Sequence, residues 1–146
     1  MQPDIHLNFL AILAGVVASI VIGFLWYGPL CGKAWMKEMN VPPDHKPEPG
    51  VMRKSMIIMV VGSILTTYVL AWTVQGWRPS VWHAGQDGPS LTYGFFAAFF
   101  TWLGFYLPQH LGQVAWERKS WKLFSINAAH SFVSLQVVAM ILAVWR

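Results

Sequence analysis

Two sets of polar side chains stand at helical spacing within otherwise apolar stretches: Tyr106, Gln109, His110 and Gln113, then Asn127, His130, Ser131 and Ser134. Within each set the second, third and fourth members follow the first by three, four and seven residues, so each set shares one helix face. Phenol, amide, imidazole and hydroxyl groups donate and accept hydrogen bonds. Imidazole also changes charge near neutral pH. Three uses fit these residue types. They can be interhelical glue at about 1 kcal/mol or less per group. They can line a polar cavity open to the cytoplasm, in which His130 binds a solute or gates by protonation. They can hold a metal or haem through His110 and His130, which needs both ring nitrogens in one ligand shell. Those two residues lie on either side of a turn at different depths, so the spacing weighs against the third use, and no cofactor is expected. No Asp, Glu, Lys or Arg lies deep in an apolar run, which argues against a carboxylate proton relay or a voltage sensor. A Ser-His-Asp set is missing, since Asp4 and Asp87 are placed at the opposite membrane face. The glycines Gly28, Gly32, Gly104 and Gly112 do not form a phosphate loop.

The elements that position these groups follow from composition. The 146 residues are 55% hydrophobic and 11% charged, with nine Trp and a mean hydropathy of +0.47. A typical soluble domain carries about 25% charged residues. The chain therefore reads as all-α and polytopic, a single transmembrane domain over 1–146 with helices at about 6–29, 55–75, 91–111 and 122–145. Each is long enough for a hydrocarbon core of about 30 Å. The first run is not read as a signal peptide, because its positive charges follow the apolar segment. Residues 36–52 form a Pro-rich loop in which helix cannot continue. Eight of the ten Lys and Arg fall in the loops after the first and third helices, so both loops face the cytoplasm and both termini lie outside. Trp26, Trp35, Trp116 and Trp121 mark the inner belt, and Trp72, Trp77, Trp82 and Trp145 the outer one. The basic residues form no continuous stripe, so nucleic acid is not a partner; the lipid bilayer is. The single Cys31 permits no intrachain disulfide. Beside the membrane it is either an acylation site or, more simply, a small interfacial residue.

On the first helix Ala11, Gly15, Ser19 and Gly23 recur every fourth residue, a face for close approach to another helix of this chain or of a second copy. Four short helices with such a strip lead to the expectation of a homo-oligomer. The third helix carries an aromatic stripe of Phe95, Phe99, Trp102 and Tyr106, read as lipid-facing or packing, and Pro108 is expected to loosen its last turn and free the Gly104 carbonyl. The end of the first helix, GFLWYGPLCGKAW, is echoed by GFYLPQHLGQVAW, which sets Tyr27 and Pro29 against Tyr106 and Pro108; Arg-Lys-Ser follows each copy. Two duplicated hairpins would explain the echo and would make Pro29 and Pro108 coincide. Belt chemistry at any helix exit would also explain it.

The run Trp26-Tyr27-Gly28-Pro29, with Gly32 and Trp35, resembles the first-helix ending of the bacterial membrane family catalogued as domain of unknown function 1761. The resemblance covers essentially the whole chain, with looser support from Trp102, Phe105 and Trp145. It implies a four-helix integral membrane protein of the bacterial cytoplasmic (inner) membrane and supplies no catalytic residue. The functional expectation is a small channel, carrier or sensor that uses the polar face of the third and fourth helices, more a transport or binding protein than an enzyme. The rival is a structural or interaction subunit.

Overall fold

Asn8 starts the first helix: its side-chain oxygen accepts hydrogen bonds from the amides of Leu10 and Ala11 at 3.0 and 3.2 Å. These are two of the donors that a helix N-terminus leaves unpaired. From this cap the computed structural model, which describes residues 2–146, continues as α1 (Phe9–Leu25) and a π-helical segment, Trp26–Leu30. Next come α2 (Gly32–Glu38), α3 (Pro49–Gly76) and a short 3-10 turn, Pro79–Trp82. The third span is α4 (Ser90–Thr101), a second π segment (Trp102–Tyr106) and α5 (Leu107–Glu117), and the fourth is α6 (Trp121–Val144). No strand occurs among the described residues. Four spans are long and apolar enough to cross a membrane: Phe9–Leu30, Pro49–Gly76, Ser90–Glu117 and Trp121–Val144.

Several bounds differ from the sequence reading. The second helix begins at Pro49 instead of Ser55, because a proline at the first helical position loses no bond and has its φ already set. A short helix takes up Gly32–Glu38, so the Pro-rich loop narrows to 39–48. The third span runs on to Glu117, where Arg118 turns left-handed at φ 54° and the Lys119 amide reaches back to the Gln113 carbonyl at 3.2 Å. The bond spans six residues, one more than a Schellman closure, and the Arg118 amide shares the same carbonyl.

Pro108 does not end its helix. Both spans that contain a late proline instead widen into π register, with the Cys31 amide bonded to Trp26 O at 2.7 Å and the Leu107 amide bonded to Trp102 O. A proline has no N–H to give the carbonyl four residues back, and a widened turn re-pairs neighbouring groups within the span. The two π segments both begin at Trp, so Trp26 corresponds to Trp102 and Gly28 to Gly104. In this register Pro29 falls opposite Phe105, three residues before Pro108, so the π segments align the tryptophans and glycines and not the two prolines.

Both termini lie at one end of the bundle, where Asn8 Nδ2 donates to Arg146 O at 2.9 Å and the Asp4 amide donates to Val81 O at 3.0 Å. At the opposite, basic end, the Ser120 hydroxyl that caps α6 also binds Glu38. Helix α6 packs against the other three spans. The dry core occupies the terminal half and is made of small and branched aliphatic residues such as Val16, Leu70, Val74, Ala97, Val138 and Ala139. Close approach depends on glycine at two points. A Cβ on Gly15 would stand 2.9 Å from Thr67 Cγ2 and 3.1 Å from Val138 Cγ1, and one on Gly94 would stand 2.9 Å from Ala139 O. The small-residue strip of the first helix is therefore occupied by α3 and α6 of the same chain, not left free for a second copy.

Helix α3 joins this core only late: its buried residues all lie between Thr67 and Gln75, and Val51 to Ile58 are exposed. Toward the basic end α3 thus stands apart from its neighbours, and a space opens behind it.

Candidate functional site: a hydroxyl-lined cavity between the spans

The space behind α3 is a cavity of about 260 Å³, bounded by all four spans. Helix α1 supplies Ser19, α3 supplies Ser63, Thr66 and Thr67, the second π segment supplies Tyr106, and α6 supplies His130, Ser131 and Ser134. On α3 the three hydroxyls stand at i, i+3 and i+4, so a single helix face carries them. No carboxylate, Lys or Arg contributes to the lining. Some of the hydroxyls pair across the space: Ser19 donates to Ser63 at 3.1 Å, and Thr66 and Tyr106 lie 3.3 Å apart.

His130 sits at the basic side of the cavity, with its ring 4.8 Å from the Tyr27 ring and 6.0 Å from that of Trp26. Its Nε2 is buried without a protein partner, and a Cβ at Gly23 of the first span would lie 3.8 Å from that nitrogen. The surrounding groups fix this geometry. Trp26 donates its indole N–H to Ile126 O at 3.0 Å, and Trp102 donates its own to Ala128 O at 3.0 Å and to Ser131 Oγ at 3.1 Å. Each π segment thus presents its first residue to α6, one on each side of the His130 turn. Trp26 thus packs into the bundle through its indole N–H.

The predicted site residues divide into two groups. Tyr106, His130, Ser131 and Ser134 meet in the cavity. His110 stands behind Ser131, 3.2 Å from its hydroxyl, and has an unpaired Nδ1. Asn127 accepts from Tyr27 Oη at 2.8 Å and does not line the space. Gln109 is exposed and Gln113 half-buried, and neither lines it. Sequence reasoning placed Ser19 on a packing face and left Ser63, Thr66 and Thr67 out of the site; the i, i+3, i+4 hydroxyls on α3 were the available signal. Among the described residues no three His, Cys, Asp or Glu side chains converge. His110 Nε2 is engaged by Ser131, which leaves the two-histidine metal arrangement without a third ligand.

Such a cavity suits an uncharged guest. Hydroxyls both donate and accept, so they match an alcohol, carbonyl or amide without imposing charge. Water occupies about 30 Å³ per molecule in the liquid, so the volume suits either several waters or a small organic group.

A buried cluster of charged residues lies at the terminal end. Arg78, 1% exposed, donates to Asp87 at 3.3 Å and to the Ala143 carbonyl in the last turn of α6, and its guanidinium lies 5.3 Å over the Tyr93 ring. Arg146 adds a second bond to Asp87 at 3.0 Å, and the Ser80 amide a third at 3.0 Å. Partial burial would raise the Asp87 pKa, but Ser80, Arg78 and Arg146 outweigh it and hold the carboxyl below its ordinary value. This cluster ties the loop after α3 to the end of α6.

Comparison with known proteins gives a membrane context. The chain is 31% identical over 64 residues to a UPF0591 membrane protein of Schizosaccharomyces pombe, a match covering 44% of this chain and 43% of that protein. No solved structure matches it. With four apolar spans and this relative, the protein is an all-α, multi-pass membrane protein. The family model described as "Protein of unknown function (DUF1761)" matches residues 10–143, nearly the whole length. This chain belongs to that family.

Proposed function

We propose that the protein is a small carrier or sensor that binds an uncharged solute in the cavity around His130. The observation carrying this reading is a space bounded by all four spans on which seven hydroxyl side chains and His130 converge with no charged group. Hydroxyls gathered around a space inside apolar spans call for polar partners within that space. In a bacterial cytoplasmic membrane the Lys and Arg distribution would orient the chain with its basic end in the cytoplasm and its termini outside. His130 then lies on the cytoplasmic side of the dry core.

A second reading, a structural subunit whose polar groups only pack, is favoured by the pairs Tyr27–Asn127 and Trp102–Ser131. Thermal unfolding in detergent against a panel of small alcohols and amides separates the two. A bound solute raises the melting temperature by mass action, about 2.7 kcal/mol at a hundredfold excess over Kd. The expected result is a shift in the wild type that His130→Leu removes. If no solute shifts the wild type and His130→Leu is equally or more stable, the packing reading holds.

A further inference from the structure

The hydroxyl-lined space does not stand alone. Two further cavities of about 450 Å³ each adjoin it, one on either side of α3. The first lies between α1 and α3 and shares Ser19, Met59, Ser63, His130 and Ser134 with the polar chamber; Phe24, Tyr27 and Gly28 extend it. The second lies between α3 and the third span, shares Thr66, Tyr106 and Leu135 with the chamber, and is walled by Leu65, Val69 and Phe105. Leu65, Val69, Phe105 and Phe24 are exposed on the lipid-facing surface. The polar groups are thus concentrated at the centre, and both ways out lead through apolar side chains at membrane depth.

From this arrangement we infer that the guest is a neutral lipid-soluble amphiphile, with a hydroxyl or carbonyl head held at Ser63, Thr66 and His130 and an apolar tail lying in one of the gaps beside α3. The inference rests on the proposed binding role of the chamber and adds the ligand class and the route of entry, from the bilayer and not from water. The chemistry favours it on three counts. A charged head would meet no counter-ion, since the lining holds none. A neutral head finds hydroxyl donors and acceptors beside the His130 ring. The gaps, at about 450 Å³ each, accept a chain that the 260 Å³ chamber alone would not hold. Gly62 borders the chamber and Gly28 the first gap, and a Cβ at either meets nothing within 4 Å. These two positions allow the space to be filled without distorting the helices.

Photolabelling of the full chain in phospholipid nanodiscs tests the route. The probes are a diazirine-bearing long-chain alcohol, the alkane of the same length without the hydroxyl, and a short-chain water-soluble diazirine alcohol. The long-chain alcohol is expected to label peptides containing Ser63 to Thr67 and Phe24 to Gly28, whereas the alkane labels the lipid face of α3 over Val51 to Val61. Gly62→Leu should lower chamber labelling by about tenfold, a loss of roughly 1.4 kcal/mol in binding, with the melting temperature unchanged. Gly28→Leu should reduce labelling in the first gap. Chamber labelling by the short-chain alcohol alone would overturn the lipid assignment and leave the binding site standing. Labelling by neither alcohol, or an identical pattern for alcohol and alkane, would overturn both.

Discussion

At the scale of single residues, two unlike polar environments share one chain. Around His130 the groups are neutral and only partly paired, and around Arg78 they are charged and densely connected. The second environment governs stability. Arg78 is 1% exposed and depends on Asp87 for neutralisation, so Asp87→Asn leaves a buried cation without its partner. Breaking a buried pair from one side costs 3–5 kcal/mol; Asp87 retains some solvent contact, so about 3 kcal/mol is expected. The same carboxylate sets a pH dependence. Its folded pKa is below the ordinary 3.8, so its contribution is complete above that value and is lost as pH falls through the lower folded pKa. Melting in detergent should be flat near neutrality and decline in the acid range, and in Asp87→Asn that acid decline should be weaker. The sequence reading treated Arg78 as one more topology charge. Nothing local reveals its burial, because its acceptor at Ala143 lies 65 residues away. His130, in contrast, was legible, since a histidine within an apolar run at i, i+3, i+4 spacing needs an explanation wherever it points.

At the scale of elements, the π segments convert sequence into site. A straight third span would carry Trp102 and Tyr106 with the period of the aromatic stripe, but the widened turn sends the Trp102 indole to α6 and places the Tyr106 hydroxyl beside Thr66. Pro29 and Pro108 announced a disturbance, but its register could not be read from proline position alone: the bond that widens the turn is accepted by Trp26 in one span and Trp102 in the other. The strip Ala11, Gly15, Ser19 and Gly23 was visible as a packing face, yet its partner was not, because small residues admit any helix. Gly15 meets Thr67 and Val138, so Gly15→Leu overpacks an intrachain contact. A loss of about 1–3 kcal/mol is expected, seen as a lower melting temperature, with particle size in detergent unchanged. A smaller particle with unaltered melting would instead assign the strip to an interface between copies.

For the whole molecule, the four spans and the shared end of the two termini followed from apolar run length and loop charge, which are summed over many residues and tolerate local error. The cavity did not follow. It exists because α3 joins the core only from Thr67 onward, a choice made by tertiary packing against α1 and α6 and not by any residue in the exposed stretch. The resulting architecture is a tight terminal half held by the Arg78–Asp87 cluster and an open basic half with a polar chamber. The central claim is that this chamber holds a guest. Native mass spectrometry of the full chain released from its membrane in mild detergent tests that claim most directly, with Gly62→Leu measured beside the wild type. The account predicts a discrete added mass, distinct from phospholipid, on the wild type and its absence from the equally stable Gly62→Leu chain. A wild-type chain that carries no such mass, or carries the same mass as Gly62→Leu, would contradict it.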